Sequence, residues 1–249
     1  NVAVLEVALQ VAQRVDRADI AARAARSNAR TAKQNIAHDV RLDEVGRAGN
    51  AGRHARRDDD HVAGLDQPAL LRRFDGVVVL DEAYIDFASG PGFLARLGEF
   101  ENLIVLQTLS KAWGMAGLRL GLAFASAPVA ALFARVKYPY NINCLAQAAV
   151  AERLSFDIAG QVAQLRAERE AIARALAACP AIERVYPSEA NFVLVRTPAP
   201  DRLYDALIAA GVIVRNRSHI PGCEGCLRIT VGRPDENARM LETVKNFTL

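Results

Sequence analysis

Three apolar runs crowd into about fifty residues: "GVVVL" from Gly76, "NLIVLQ" from Asn102 and "LRLGLAFA" from Leu118. Each is too short for a helix that would bury it. Each is rich in branched or bulky side chains, and the first two stop at polar residues. Such runs predict strands buried on both faces of a sheet. Helical patterns follow. Pro128–Val136 opens with the proline favoured in a first helical turn, and 145–178 is helical with a break near Ser155, Phe156 and Asp157. Beyond Pro180 the chain alternates again: "IERVY", "NFVLVR", a helix over 201–209, "GVIVR", "CLRITV" and a last helix after Pro234. This order predicts an α/β domain followed by a small α+β domain.

Residues 1–67 differ. They hold no Phe, Tyr, Trp, Pro or Cys, and they carry three of the four histidines, His38, His54 and His61. Apolar spacing at Val4, Leu5, Ala8, Leu9, Ala12 and Val15 predicts a helix within 2–26, and the mixed charge of 27–64 predicts a loosely ordered stretch. The segment is read either as a divergent replacement or as an out-of-frame or misjoined stretch, and the initial Asn as not a native start. The domain division expected is therefore 1–67, 68–155 and 156–249.

Bulk properties narrow the function. A net charge of +3 over 249 residues gives no reason to invoke nucleic acid or a membrane surface. No apolar run reaches the length of a membrane span, and no signal-peptide pattern opens the chain. Four cysteines, Cys144, Cys179, Cys223 and Cys226, fit a reducing, cytoplasmic setting better than a disulfide scaffold.

The chemistry sits at the ends of the first two runs. Asp81 and Glu82 close one, and ligands of open α/β sheets bind outside such strand ends. An isolated acidic pair there is as often a solvated terminus. Lys111 follows the second run. Taken alone it reads as a surface lysine; in a partly desolvated pocket it is a nucleophilic amine. Pyridoxal phosphate chemistry needs such an amine, a carboxylate at the pyridine nitrogen, and hydroxyls and cations for the phosphate. Lys111, Asp81, Ser110 and Arg119 supply those residue types. "CEGC" at 223–226 leads into a strand rather than opening a helix, which argues against a redox motif, and zinc would need two more ligands. Trp113 and Met115 read as local packing, and His219 either as a contact for an imidazole or a phosphate or, more commonly for a loop histidine, as a solvated residue.

"VVVLDEAYIDF", "QTLSKAWGMAGLRLG", "KYPYNIN", "NFVLVR", "GVIVRNRS" and "GCLRITVG" in this order resemble the histidinol-phosphate aminotransferases, within the class I and II aminotransferases of fold type I. The resemblance runs from about Pro68 to the C-terminus, and the thirty-residue spacing of Asp81 and Lys111 fits it. It implies an incomplete aminotransferase-type large domain with a mostly parallel sheet, followed by the small domain.

It implies pyridoxal 5'-phosphate as cofactor, Lys111 as its covalent anchor and proton carrier, and Asp81 at the pyridine nitrogen. Tyr84 would bond the ring's phenolic oxygen, and Ser110 and Arg119 would hold the phosphate. Arg228 would take a substrate carboxylate, with Arg215 a second anion contact; Arg215 reads equally well as a surface arginine, and Arg217 competes for its role. The implied reaction exchanges amino groups between histidinol phosphate and 2-oxoglutarate, or glutamate in reverse, within histidine biosynthesis and in a homodimer. Related phosphate-handling transaminases and decarboxylases share these motifs.

The family also carries, upstream, a Pro-Asn-Pro loop, an aromatic that stacks on the cofactor ring and a tyrosine given to the partner subunit. Residues 1–67 offer no proline and no aromatic for these roles. A non-catalytic fragment is thus the rival expectation, and a helical binding module in 1–67 the third.

Overall fold

The computed structural model describes residues 2–4 and 67–249. They fall into two compact units that divide between Ile158 and Ala159.

Among the described residues of the first unit, four strands make one sheet: β1 (Val2–Val4), β2 (Val78–Asp81), β3 (Leu103–Thr108) and β4 (Gly121–Ser126), in the order β1-β4-β3-β2. The helix expected within 2–26 is replaced at 2–4 by a strand, whose backbone pairs with β4; the rest of that expectation, and the loose stretch at 27–64, lie outside the described residues. The α/β class holds, but the described sheet is mixed. β2 and β3 are parallel, whereas β3–β4 and β1–β4 are antiparallel. The connections explain this. A parallel return needs a long crossover, and residues 82–102 provide one through two 3-10 segments, Ile85–Phe87 and Leu94–Glu99. Residues 109–120 instead form a loop that folds straight back.

Side chains alternate across a strand, and the register decides which share a face. Leu80 of β2, Val105 of β3 and Phe124 of β4 stand opposite one another. They pack under Leu71 of α1 (Gln67–Arg73) and under Phe93, Leu94, Leu97 and Phe100. Asn102 ties this layer to the sheet: its Nδ2 donates to the carbonyls of Leu71, Phe74 and Gly76, at 3.1, 3.2 and 3.0 Å. β3 is buried on both faces as its composition predicts. β2 is not, because Val79 on the opposite face remains 47 % exposed and β2 is the edge strand among the described residues. Helices α2 (Ala127–Val136) and α3 (Cys144–Arg153) follow in the same unit. The Asn143 side chain accepts the Ala146 N–H at 2.8 Å and so caps α3.

The second unit holds the long helix α4 (Ala159–Ala177) and an antiparallel sheet of β5 (Arg184–Tyr186), β6 (Phe192–Arg196), β7 (Arg215–Asn216) and β8 (Cys226–Thr230), ordered β5-β6-β8-β7. Two more helices, α5 (Pro200–Ala209) and α6 (Pro234–Asn246), each begin with proline in the first turn. Val162, Ile172 and Leu176 form the buried stripe of α4. Ile172 and Leu176 join Val193, Val195, Leu203, Leu207, Leu227, Ile229, Met240 and Val244 in one core.

"GVIVR" is the departure here: only Arg215 and Asn216 form a strand. Gly211 turns left-handed (φ +75°). Its N–H reaches the Ile208 carbonyl at 2.9 Å, and the Val212 N–H reaches that of Leu207 at 2.8 Å. This is a Schellman ending for α5. It uses Val212–Val214 to leave the helix, with Val214 buried and Ile213 exposed.

Candidate active site

The exits of β2 and β3 lie side by side because the two strands run parallel. Asp81 is the last residue of β2 and pairs in register with Leu106 of β3. Lys111 follows β3 by three residues.

Alternation separates the two acids. Glu82 continues the Leu80 face into the core and is 5 % exposed. Asp81 points to the opposite face and is exposed, where its Oδ1 accepts the Ala83 N–H at 2.9 Å. The chain then turns through Ile85–Phe87, and Tyr84 reaches Lys111: the Lys111 Nζ stands 5.1 Å from the Tyr84 ring centroid. Lys111 itself is exposed among the described residues.

The loop from Leu109 to Leu120 closes back on β3. Thr108 opposes Gly121 in the ladder, and the Leu120 carbonyl accepts both the Leu109 N–H, at 3.4 Å, and the Thr108 hydroxyl, at 3.3 Å. Ser110 and Arg119 therefore flank the same ladder closure. The Ser110 N–H donates to Thr108 Oγ1 at 3.1 Å, and the two hydroxyls lie 2.9 Å apart. Arg119 takes a left-handed backbone (φ 54°, ψ 41°) and donates from Nη1 to the Ala116 carbonyl at 3.2 Å, with its side chain otherwise exposed. Trp113 and Met115 are buried, as local packing requires.

Arg215 and Arg228 belong to the second unit. They oppose each other in the β7–β8 ladder, and so share a face. Arg228 is half-buried with its guanidinium 4.8 Å from the Phe192 ring centroid, while Arg215 is exposed. "CEGC" forms a turn into β8: the Cys226 N–H bonds the Cys223 carbonyl at 3.0 Å, with Gly225 at φ +74°.

Two residues not singled out from the sequence, Thr108 and Gln107, shape this region together with Glu82. Thr108 orients Ser110. Glu82 and Gln107 form a buried pair, with the Gln107 Nε2 donating to Glu82 Oε2 at 3.0 Å and the Phe93 N–H donating to Oε1 at 2.5 Å. The signal for the pair was a polar residue inside an apolar run, "LIVLQT". Burial pushes the Glu82 carboxyl above its ordinary range, Asp86 and Asp81 add to this, and the bonds from Phe93 and Gln107 oppose it.

Amine, carboxylate, phenol, hydroxyl and guanidinium thus lie on the segments leaving β2 and β3. Residue types of this kind could hold a phosphorylated aldehyde cofactor, an amine for the aldehyde and a hydroxyl and a guanidinium for the phosphate.

Residues 68–244 match the family described as "Aminotransferase class I and II". A histidinol-phosphate aminotransferase of Parabacteroides distasonis is 48 % identical over 182 residues, covering 72 % of this chain and 53 % of that protein. The crystal structure of the histidinol-phosphate aminotransferase from Clostridium acetobutylicum superposes with a TM-score of 0.67 at 24 % identity, over 72 % of this chain and 56 % of the other. That from Sinorhizobium meliloti, in complex with pyridoxal-5'-phosphate, gives 0.62 at 22 % identity, over 77 % and 53 %. At these identities the two structures show the fold. The chain spans about half the length of the curated relatives it matches. On the match over 68–244, this chain belongs to the class I and II aminotransferases.

Proposed function

We propose that the chain is part of a pyridoxal phosphate-dependent transaminase that passes the amino group of histidinol phosphate to 2-oxoglutarate, yielding imidazole-acetol phosphate and glutamate. The observation that carries this reading is the Lys111 amine at the exit of β3, set over Tyr84 and beside the strand end that bears Asp81. The substrate choice follows the relatives named histidinol-phosphate aminotransferase.

When bound, the cofactor supplies the electron sink that lets a substrate Cα–H bond ionise. The chain's own residues do the rest. Asp81 would keep the ring nitrogen protonated by its negative charge. The Lys111 Nζ would anchor the aldehyde and, once freed, serve as the base that takes the substrate α-proton and as the acid that returns it. The Tyr84 hydroxyl would donate to the ring's phenolic oxygen. Ser110 and Arg119 would hold the phosphate, for which the planar guanidinium of Arg119 is suited. Arg228 and Arg215, on one face of the second sheet, take the anionic groups of the substrates: a carboxylate for 2-oxoglutarate or glutamate, a phosphate for histidinol phosphate. The domain limits 68–155 and 156–249 carry these two sets of residues.

A second copy of the chain is the proposed partner. Leu132, Val136, Tyr138, Tyr140 and Leu145 expose a run of large apolar side chains from α2 into α3. Sedimentation that finds only monomer at every concentration would sink this.

The test of the reaction class is direct. Pyridoxal phosphate added to the purified chain is expected to develop visible absorbance that Lys111→Ala abolishes. A wild-type chain with no such absorbance ends the reading. A second reading, that this chain alone carries only part of the site, is favoured by its covering 53 % of the relative. It predicts cofactor uptake without glutamate formation. Carbon dioxide release from an amino-acid substrate would point instead to the decarboxylase alternative.

A further inference from the structure

We propose that Glu82 is a positioning residue: a buried clamp that fixes the exits of β2 and β3 against each other and against the loop that ends at Phe93. The inference rests on the reading of Asp81, Tyr84 and Lys111 as cofactor residues, but its geometry stands without the cofactor.

Every polar group of Glu82 is engaged. Its N–H bonds the Leu106 carbonyl at 2.7 Å and so extends the parallel ladder one residue past β2. Its carbonyl accepts the Ile85 N–H at 3.0 Å and so starts the turn that carries Tyr84. Its Oε1 takes the Phe93 N–H, and its Oε2 takes the Gln107 amide. Gln107 is 4 % exposed and stands on β3 next to Thr108, which orients Ser110.

One side chain therefore joins three segments: the strand end with Asp81 and Tyr84, the strand end leading to Ser110 and Lys111, and the return loop. The loop is shaped to it. Gly92 sits at φ +64°, and a Cβ there would lie 2.7 Å from Glu82 Oε1. A carboxyl with both oxygens committed in a dry site is costly to keep unless it is fully bonded. Glu82 meets that condition, and its two carboxyl oxygens are committed to Phe93 and Gln107, neither of which the proposed reaction uses, so its contribution is geometry.

The test compares Glu82→Leu with Glu82→Gln. Leucine keeps much of the volume and removes both acceptors. Glutamine keeps an oxygen for Phe93, and a flipped Gln107 amide can accept from its nitrogen. In the cofactor-free chain, Phe93 amide exchange is expected to quicken on the order of tenfold in E82L and to stay near wild type in E82Q. With pyridoxal phosphate added, E82L is expected to raise the dissociation constant on the order of tenfold. It is also expected to move the pH midpoint of the bound cofactor's absorbance, because Asp81 and Tyr84 shift relative to Lys111; E82Q restores both. Gln107→Leu, which removes one partner only, gives the same direction at smaller size and serves if E82L fails to fold.

Unchanged Phe93 exchange in E82L, or E82Q as impaired as E82L, would overturn the clamp. A wild-type chain that takes up no cofactor would overturn the transaminase reading, and the Phe93 exchange contrast would then decide the clamp alone.

Discussion

Replacing Gly92 by alanine tests the packing around Glu82 through the backbone. Two costs add. At φ +64° an L-residue is left-handed, which costs about 1–2 kcal/mol. The new Cβ would also stand 2.7 Å from Glu82 Oε1 and 2.9 Å from Oε2, so the carboxyl must leave its place. Losing the Phe93 bond in a buried site costs about 1–3 kcal/mol more. The sum is about 2–5 kcal/mol.

Gly114 provides the control, since it has φ +70° but nothing within 4 Å of a built Cβ. Gly114→Ala therefore carries only the backbone cost, about 1–2 kcal/mol. Gly98 has open space and no left-handed backbone, so Gly98→Ala should be neutral or stabilising by about 0.4–1 kcal/mol. Urea titration followed by fluorescence reads this unit cleanly, because Trp113 is the chain's one tryptophan and is 6 % exposed. With a urea slope of about 2 kcal/mol/M, Gly92→Ala should unfold about 0.5–1.5 M earlier than Gly114→Ala. Equal midpoints for these two variants would refute the contact with Glu82.

In the second unit, Leu207→Ala removes a side chain that is 0 % exposed from the centre of the core. A loss of about 2–5 kcal/mol is expected, read as an earlier loss of helical circular dichroism in urea; a loss within error would show that the site can collapse. Glu82 also gives a pH signature. Burial raises its folded pKa, so it contributes stability that is fully present below the unfolded carboxyl value and is lost as pH rises through the folded one. Wild type should therefore lose stability relative to Glu82→Gln across that window as pH rises, and a difference that stays flat or widens in favour of wild type would contradict the burial.

Much of the architecture was legible because apolar runs and turn residues act locally. The strands at 78–81, 103–108, 192–196 and 226–230, the break between α3 and α4, and the proline in the first turn of α2 all follow from spacing within a few residues. "GVIVR" misled because its composition favours a strand, whereas Gly211 makes it the exit of α5. Strand direction was not legible either: whether a connection returns parallel or antiparallel depends on what its residues pack against.

For the site, sequence alone determined which residue types follow β2 and β3 and how far apart they lie. The thirty residues from Asp81 to Lys111, with Ser110 beside the lysine and Arg119 eight on, define a chemical inventory. Tertiary structure decided which of two adjacent acids faces out. Asp81 and Glu82 are equivalent in a string of letters, but the β2–β3 register places Glu82 on the face covered by Phe93 and Leu94 and leaves Asp81 on the other. The physical reason is that side-chain direction in a strand has period two, and only the packing of a distant segment selects the phase.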